Sequence, residues 1–174
     1  MYQVDDKVIY ANYGVCIVKE TNAHISMMGN EDRPYYILAA TRDKGGKIYV
    51  PMDKEDALRP VMNAEDARAL IDSFEGIETD DFKDSNSRTV EDHFKKMLRT
   101  NDIRLALKVA KTMRKRIREQ EAKRHIPSSM YTRLYDQATH QVRSEVSAAL
   151  EIDEAEVDAI LKSHDLDIES QAEA

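Results

Sequence analysis

Pro34-Tyr35-Tyr36-Ile37-Leu38-Ala39, then Asp43-Lys44-Gly45-Gly46-Lys47, then Ile48-Tyr49-Val50-Pro51: an aromatic and branched run, a glycine-centred turn and a second branched run. This order predicts a β-hairpin. Pro51 cannot donate to a ladder, so the second strand belongs at a sheet edge or ends there. Upstream, Lys7-Val8-Ile9-Tyr10 and Val15-Cys16-Ile17-Val18 flank Ala11-Asn12-Tyr13-Gly14, where Gly14 can supply the positive φ of a turn. About five short strands in residues 1–60 must close on themselves to bury a core. The expectation is a small Tudor- or SH3-like β-barrel.

From residue 61 the apolar period becomes helical. Asn63 precedes Ala64-Glu65-Asp66, which predicts an N-cap with acid in the first turn of a short helix over 63–73. Residues 75–88 have no stable period and read as an acidic linker. Further helices are expected from about residue 89 to 99, from a cap at Thr100 or Asn101 to about 123, from Met130 to Leu150 behind a capping serine at Ser129, and over 153–162 behind Asp153. The fold class is therefore α+β, a small barrel followed by an all-α helical domain. The expected parts are 1–60, the short helix and linker of 61–88, the helical domain of 89–163, and a disordered tail over 164–174.

The chain has 174 residues and a formal charge of −7. By segment the net is −1 over 1–60, −7 over 61–92, +10 over 93–143 and −9 over 144–174. A basic block thus lies between acidic ones. A single cysteine, Cys16, excludes an intrachain disulfide and a paired-cysteine zinc site. The start lacks the pattern of a signal peptide, and no apolar run reaches membrane-span length, so a soluble, cytoplasmic protein is expected.

On a wheel, Ile103, Ala106, Leu107, Ala110, Met113 and Ile117 share a sector of roughly 120°. Arg104, Lys108, Lys111, Lys115 and Arg118 form a second stripe, and Arg114 and Arg116 widen its field. A solvated helix face alternates Glu with Lys at i,i+4, whereas this one repeats like charges, which costs stability unless a polyanion neutralises them. Three readings stand side by side: a solvated face, a phosphate-binding surface, or a stripe covered by an acidic segment of the same chain.

No catalytic centre is legible. The Asp43–Lys47 turn is followed by a strand and not by a helix, so it lacks the helix N-terminus of a phosphate loop. His24, His93, His125, His140 and His164 are scattered, without metal-ligand spacing. Cys16 reads as a buried inert thiol. No enzyme activity, metal or cofactor is expected.

The chain resembles the short, two-domain type of the CarD family of bacterial transcription regulators. The resemblance rests on Val4-Asp5-Asp6-Lys7-Val8-Ile9-Tyr10-Ala11-Asn12-Tyr13-Gly14-Val15, Tyr35-Tyr36-Ile37-Leu38, Lys47-Ile48-Tyr49-Val50-Pro51 and Leu58-Arg59-Pro60. In the helical half it rests on Met97-Leu98-Arg99-Thr100-Asn101-Asp102, Ala106-Leu107-Lys108-Val109-Ala110, Ala138, Val142, Glu145-Val146 and Ala148-Ala149-Leu150. It implies that the barrel pairs a strand edge with the β subunit of RNA polymerase, as the same module does in the transcription–repair coupling factor. It also implies that the helical domain contacts promoter DNA near the −10 element, through phosphates and the minor groove, and stabilises the open complex.

Carried over by position, the polymerase-binding residues would be His24, Arg42, Lys47, Ile48, Tyr49 and Val50. The DNA-binding residues would be Arg88, Arg104, Lys108, Lys111, Arg114, Lys115 and Arg118, acting in a monomer. The family's wedge tryptophan has no counterpart: Asn86-Ser87-Arg88 stands there, and the chain contains no Trp. Phe82 and Phe94 are the aromatic substitutes nearby. The alternative reading is a polymerase-binding adaptor that does not contact DNA.

Overall fold

A computed structural model describes residues 1–26, 32–41 and 45–164. The chain divides into two compact units, residues 1–61 and 62–174.

The first unit is a five-stranded antiparallel sheet in the order β4-β3-β2-β1-β5. Its strands are β1 (Lys7–Tyr10), β2 (Gly14–His24), β3 (Pro34–Ala40), β4 (Lys47–Pro51) and β5 (Leu58–Pro60). A 3-10 turn at Ala11–Tyr13 joins β1 to β2, and Gly14 leaves it at φ 65°, ψ −133°, a conformation closed to side chains with a Cβ. Longer than the apolar run that announces it, β2 changes register against β3 between Val18 and Glu20 and again between Glu20 and Ala23. Such irregularities bend a strand.

The bend has a consequence for the core. Val50 from one edge strand and Leu58 from the other lie in a single cluster with Val8, Cys16, Val18, Tyr36 and Leu38. The sheet therefore curls round one core, as a small barrel must. Its β4 and β5 margins are joined by the 3-10 segment Met52–Ala57, and no ladder between them is present among the described residues. Tyr36 is fully buried, and its hydroxyl donates to Glu55 Oε2 at 2.7 Å. Burial pushes the Cys16 thiol up to about 11, which leaves it protonated and unreactive at neutral pH.

The second unit contains α1 (Ala64–Asp72), α2 (Ser87–Arg99), α3 (Ile103–Ala122), α4 (Ser129–Leu150) and α5 (Glu154–Ser163). The Asn63 side chain caps α1 by accepting from the Asp66 amide at 2.7 Å, and Asp153 caps α5 in the same way from Glu156 at 2.8 Å. Two expected caps are revised. Asp102, not Thr100 or Asn101, caps α3, because its carboxylate reaches the Arg104 amide at 2.9 Å. Ser128, not Ser129, occupies the N-cap of α4, and its side chain makes no capping bond.

Leu107, Val109, Met113, Leu134, Tyr135, Val142, Val157 and Leu161 lie in one core with Phe74, Phe94 and Leu98. The ion pair of Arg143 with Asp158, in which Nη2 donates to Oδ2 at 2.7 Å, fastens α5 to α4. The tail beyond residue 164 lies outside the described residues.

Candidate functional site

Two surfaces carry the expected functional residues. The first is the outer margin of β4, an edge strand with β3 on its other side. Within β4 the pleat alternates: Lys47 and Tyr49 are exposed, Ile48 is partly buried against the core, and Val50 is 1% exposed. Lys47 and Tyr49 are the exposed side chains of this strand. The expectation for Val50 is corrected accordingly, since its side chain fills the core and only its backbone remains at the edge. His24 is exposed opposite Pro34, at one end of β3, whereas Lys47 stands opposite Ala39 near the other end. Arg42 lies outside the described residues.

The second surface is on α3. Burial here is wider than the apolar stripe predicts, because Val109, Thr112 and Arg116 are buried as well. What covers this side is the segment read as a linker. After the 3-10 turn Phe74–Gly76, residues 77–86 run as a strap across α3 and α2 within the helical unit. The Thr112 hydroxyl accepts from the Asp80 amide at 2.9 Å. The Arg116 guanidinium donates to the Asp80 carbonyl at 3.2 Å and the Phe82 carbonyl at 2.6 Å. It also lies 5.1 Å over the Phe94 ring and 5.7 Å over the Tyr131 ring. The Lys111 ammonium donates to the carbonyls of Phe74, Glu75 and Ile77 at 3.2, 3.0 and 2.6 Å.

Lys111 is therefore a structural clamp on the backbone after α1, and not an open phosphate contact. Arg116, read as part of the basic field, is 8% exposed and structural too. The third reading of the stripe, cover by an acidic segment of the same chain, thus holds for part of its length. Arg88, Arg104, Lys115 and Arg118 remain exposed, while Lys108 and Arg114 are half-buried. Lys111, Arg114, Lys115 and Arg118 line one shallow groove together with Thr79, Glu119 and Ala122.

The strap is pinned at Asp80. His93 Nε2 donates to Asp80 Oδ2 at 2.9 Å, and the His93 ring stacks on Phe82 at 4.1 Å. Burial pulls the Asp80 carboxyl upward, but bonds from His93 and the Phe82 amide, with Lys108 nearby, outweigh it and hold the group below its ordinary value. A carboxyl more acidic in the folded state contributes stability above its unfolded value near 4, and loses that contribution as pH falls through the lower folded value. Asp80→Asn is expected to cost about 1 kcal/mol at neutral pH. In urea unfolding the gap from wild type should narrow as pH falls below about 4, the ordinary carboxyl value. A gap that persists in acid would show that the ionised pair is not its source.

The wedge substitutes are also settled by packing. Phe94 is fully buried, and Phe82 is held between His93 and the Arg116 clamp, so neither is free to leave the unit. Ser87 is exposed in the first turn of α2.

Residues 2–62 match the model of the CarD-like/TRCF RID domain. The first unit is a CarD-like domain. The match coincides with the curled sheet and ends at the boundary between the two units. The CarD-like family is one of RNA polymerase-interacting domains, a protein-interaction class and not a catalytic one. No curated protein matches the chain. Among the described residues, no helix is long and apolar enough to cross a membrane.

Three features escaped the reading of the sequence. Thr112 and Arg116 interrupt no apolar stripe, and only the path of the strap buries them. The Asp80–His93 pair spans thirteen positions with no shared periodicity. The apolar tip of the α3–α4 connection, Ile126, could have been noticed from its setting, Lys123-Arg124-His125-Ile126-Pro127, an apolar residue among cations.

Proposed function

We propose that the chain is a transcription regulator that binds the β subunit of RNA polymerase through the outer margin of β4 and contacts promoter DNA with the exposed cations of its helical unit. The observation that carries the first half is the CarD-like match over an edge strand whose exposed side chains are Lys47 and Tyr49. Strand addition supplies backbone hydrogen bonds, and these two side chains supply selectivity.

Retention of the chain on an immobilised β-subunit lobe tests this. Tyr49→Asp, which puts a charge at the centre of the pairing edge, should reduce retention by about tenfold or more. Tyr13→Asp, at an exposed aromatic outside β4, should leave it intact. Wild type that fails to bind the lobe sinks the proposal.

Support for the second half is the set Arg88, Arg104, Lys115 and Arg118 on one helical unit. Stabilisation of the open complex follows from the same family resemblance as part of the proposal. The strap's use of Lys111 and Arg116 favours the competing reading, an adaptor that leaves DNA alone. The two differ in salt dependence, since phosphate contacts weaken steeply as salt rises.

A further inference from the structure

Thr79 lies on the strap between two clamped points. On one side Lys111 holds the Ile77 carbonyl at 2.6 Å. On the other, Thr112 holds the Asp80 amide at 2.9 Å and Arg116 holds the Asp80 carbonyl at 3.2 Å. Thr79 itself is half-buried, and neither its backbone nor its hydroxyl makes a hydrogen bond among the described residues. It lines the α3 groove with Lys111, Arg114, Lys115 and Arg118, a space of about 450 Å³ with ample room for a phosphate group. A hydroxyl thus stands at the wall of a groove that four cations line.

The charges of the groove are one-sided. Lys115 and Arg118 are exposed, and their side chains make no hydrogen bond or ion pair among the described residues. The carboxylate in the lining is Glu119. None of the acids next to Thr79 in sequence lines the groove: the Asp80 carboxylate is bonded to His93 of α2 at 2.9 Å, and Glu78 and Asp81 are exposed.

We propose that Thr79 is a phosphorylation site whose phosphate docks within its own chain on Lys115 and Arg118 and so withdraws them from DNA. The withdrawal rests on the DNA half of the proposed function; the docking does not. In the transfer, the Thr79 hydroxyl oxygen bonds to the γ-phosphorus of ATP. The bond from that phosphorus to the β–γ bridging oxygen breaks, the hydroxyl proton passes to a base of the kinase, and ADP leaves. The enzyme that fits is a Ser/Thr kinase with a basic substrate cleft, since Glu78, Asp80 and Asp81 flank the acceptor. Residues 77–84 are neither helix nor strand, and Thr79 gives up no hydrogen bond of its own on entering such a cleft. The phosphate brings about −1.5 to −2 charges at neutral pH and three acceptor oxygens, and cations opposite it order the segment that carries it.

The full chain is prepared with phosphothreonine encoded at position 79, and the phosphate is titrated by phosphorus NMR. Its second pKa should fall from about 6 by roughly half a unit or more, and Lys115→Gln with Arg118→Gln should return it most of the way. Affinity for duplex DNA at low salt should drop about tenfold, with a salt slope shallower by about two. Thr79→Val should bind the duplex as the unmodified chain does. A phosphate that titrates at its ordinary value overturns the docking. A lowered pKa with unchanged duplex affinity overturns the withdrawal from DNA. An unmodified chain that binds no duplex overturns the withdrawal together with the DNA reading, and the titration still decides the docking. Phosphopeptide mass spectrometry on the chain isolated from its own cells should find phosphate on Thr79. Phosphate confined to Ser85 or Ser87, or absent from the strap, overturns the site.

Discussion

Arg116→Ala is expected to lower the stability of the helical unit by about 3 kcal/mol or more, measured as the shift in a denaturant unfolding curve. The guanidinium satisfies two strap carbonyls and packs over the rings of Phe94 and Tyr131. Alanine leaves both carbonyls without this donor and opens a void between the rings, and the two losses add. Arg116→Lys should recover only part of the loss, because a compact ammonium lacks the planar guanidinium that lies over the Phe94 and Tyr131 rings while one of its nitrogens, Nη2, donates to both carbonyls. Amide exchange should localise the change, with protection falling first at Asp80 and Phe82. A small effect confined to global unfolding would mean that the strap does not depend on this residue.

The second large effect is expected at Lys115 and Arg118. Both are exposed, and both line the groove on α3. Lys115→Glu with Arg118→Glu should weaken duplex DNA binding by roughly a hundredfold at low salt and flatten the salt dependence by about two phosphate contacts. Stability should barely change, since neither charge is clamped to the strap. The pair Lys108 and Lys111, adjacent on the same stripe, would be a poor choice. Lys111 holds three carbonyls and Lys108 lies close to Asp80, so reversing them would unseat the strap and confuse folding with binding. Unaltered DNA affinity in the Lys115→Glu, Arg118→Glu variant would favour the adaptor reading.

The location of the cations changes what the charge pattern means. Along the chain the basic block is one feature of +10, but in the folded unit it separates into three uses. Lys111 and Arg116 hold backbone. Arg143 holds α5 through Asp158. Arg104, Lys115 and Arg118, with Lys123 and Arg124 at the loop, stay in solvent. Like charges repeated along α3 are tolerated because part of the repulsion is relieved by carbonyl dipoles of the strap.

The sequence by itself determined the α+β order, the hairpin of β3 and β4, the turn at Gly14 and the caps at Asn63 and Asp153, because each depends on residues a few positions apart. Period, turn chemistry and capping are local physics. It also marked β4 as an edge through Pro51. Only the tertiary structure decided which cations are spent inside the fold, that Val50 belongs to the core, and that residues 77–86 are a strap and not a linker. Those outcomes turn on contacts such as Arg116 with Phe82 and Asp80 with His93. Carbonyl acceptors carry no sequence signature, so a residue chosen to satisfy one is legible only when the backbone that presents it has been placed.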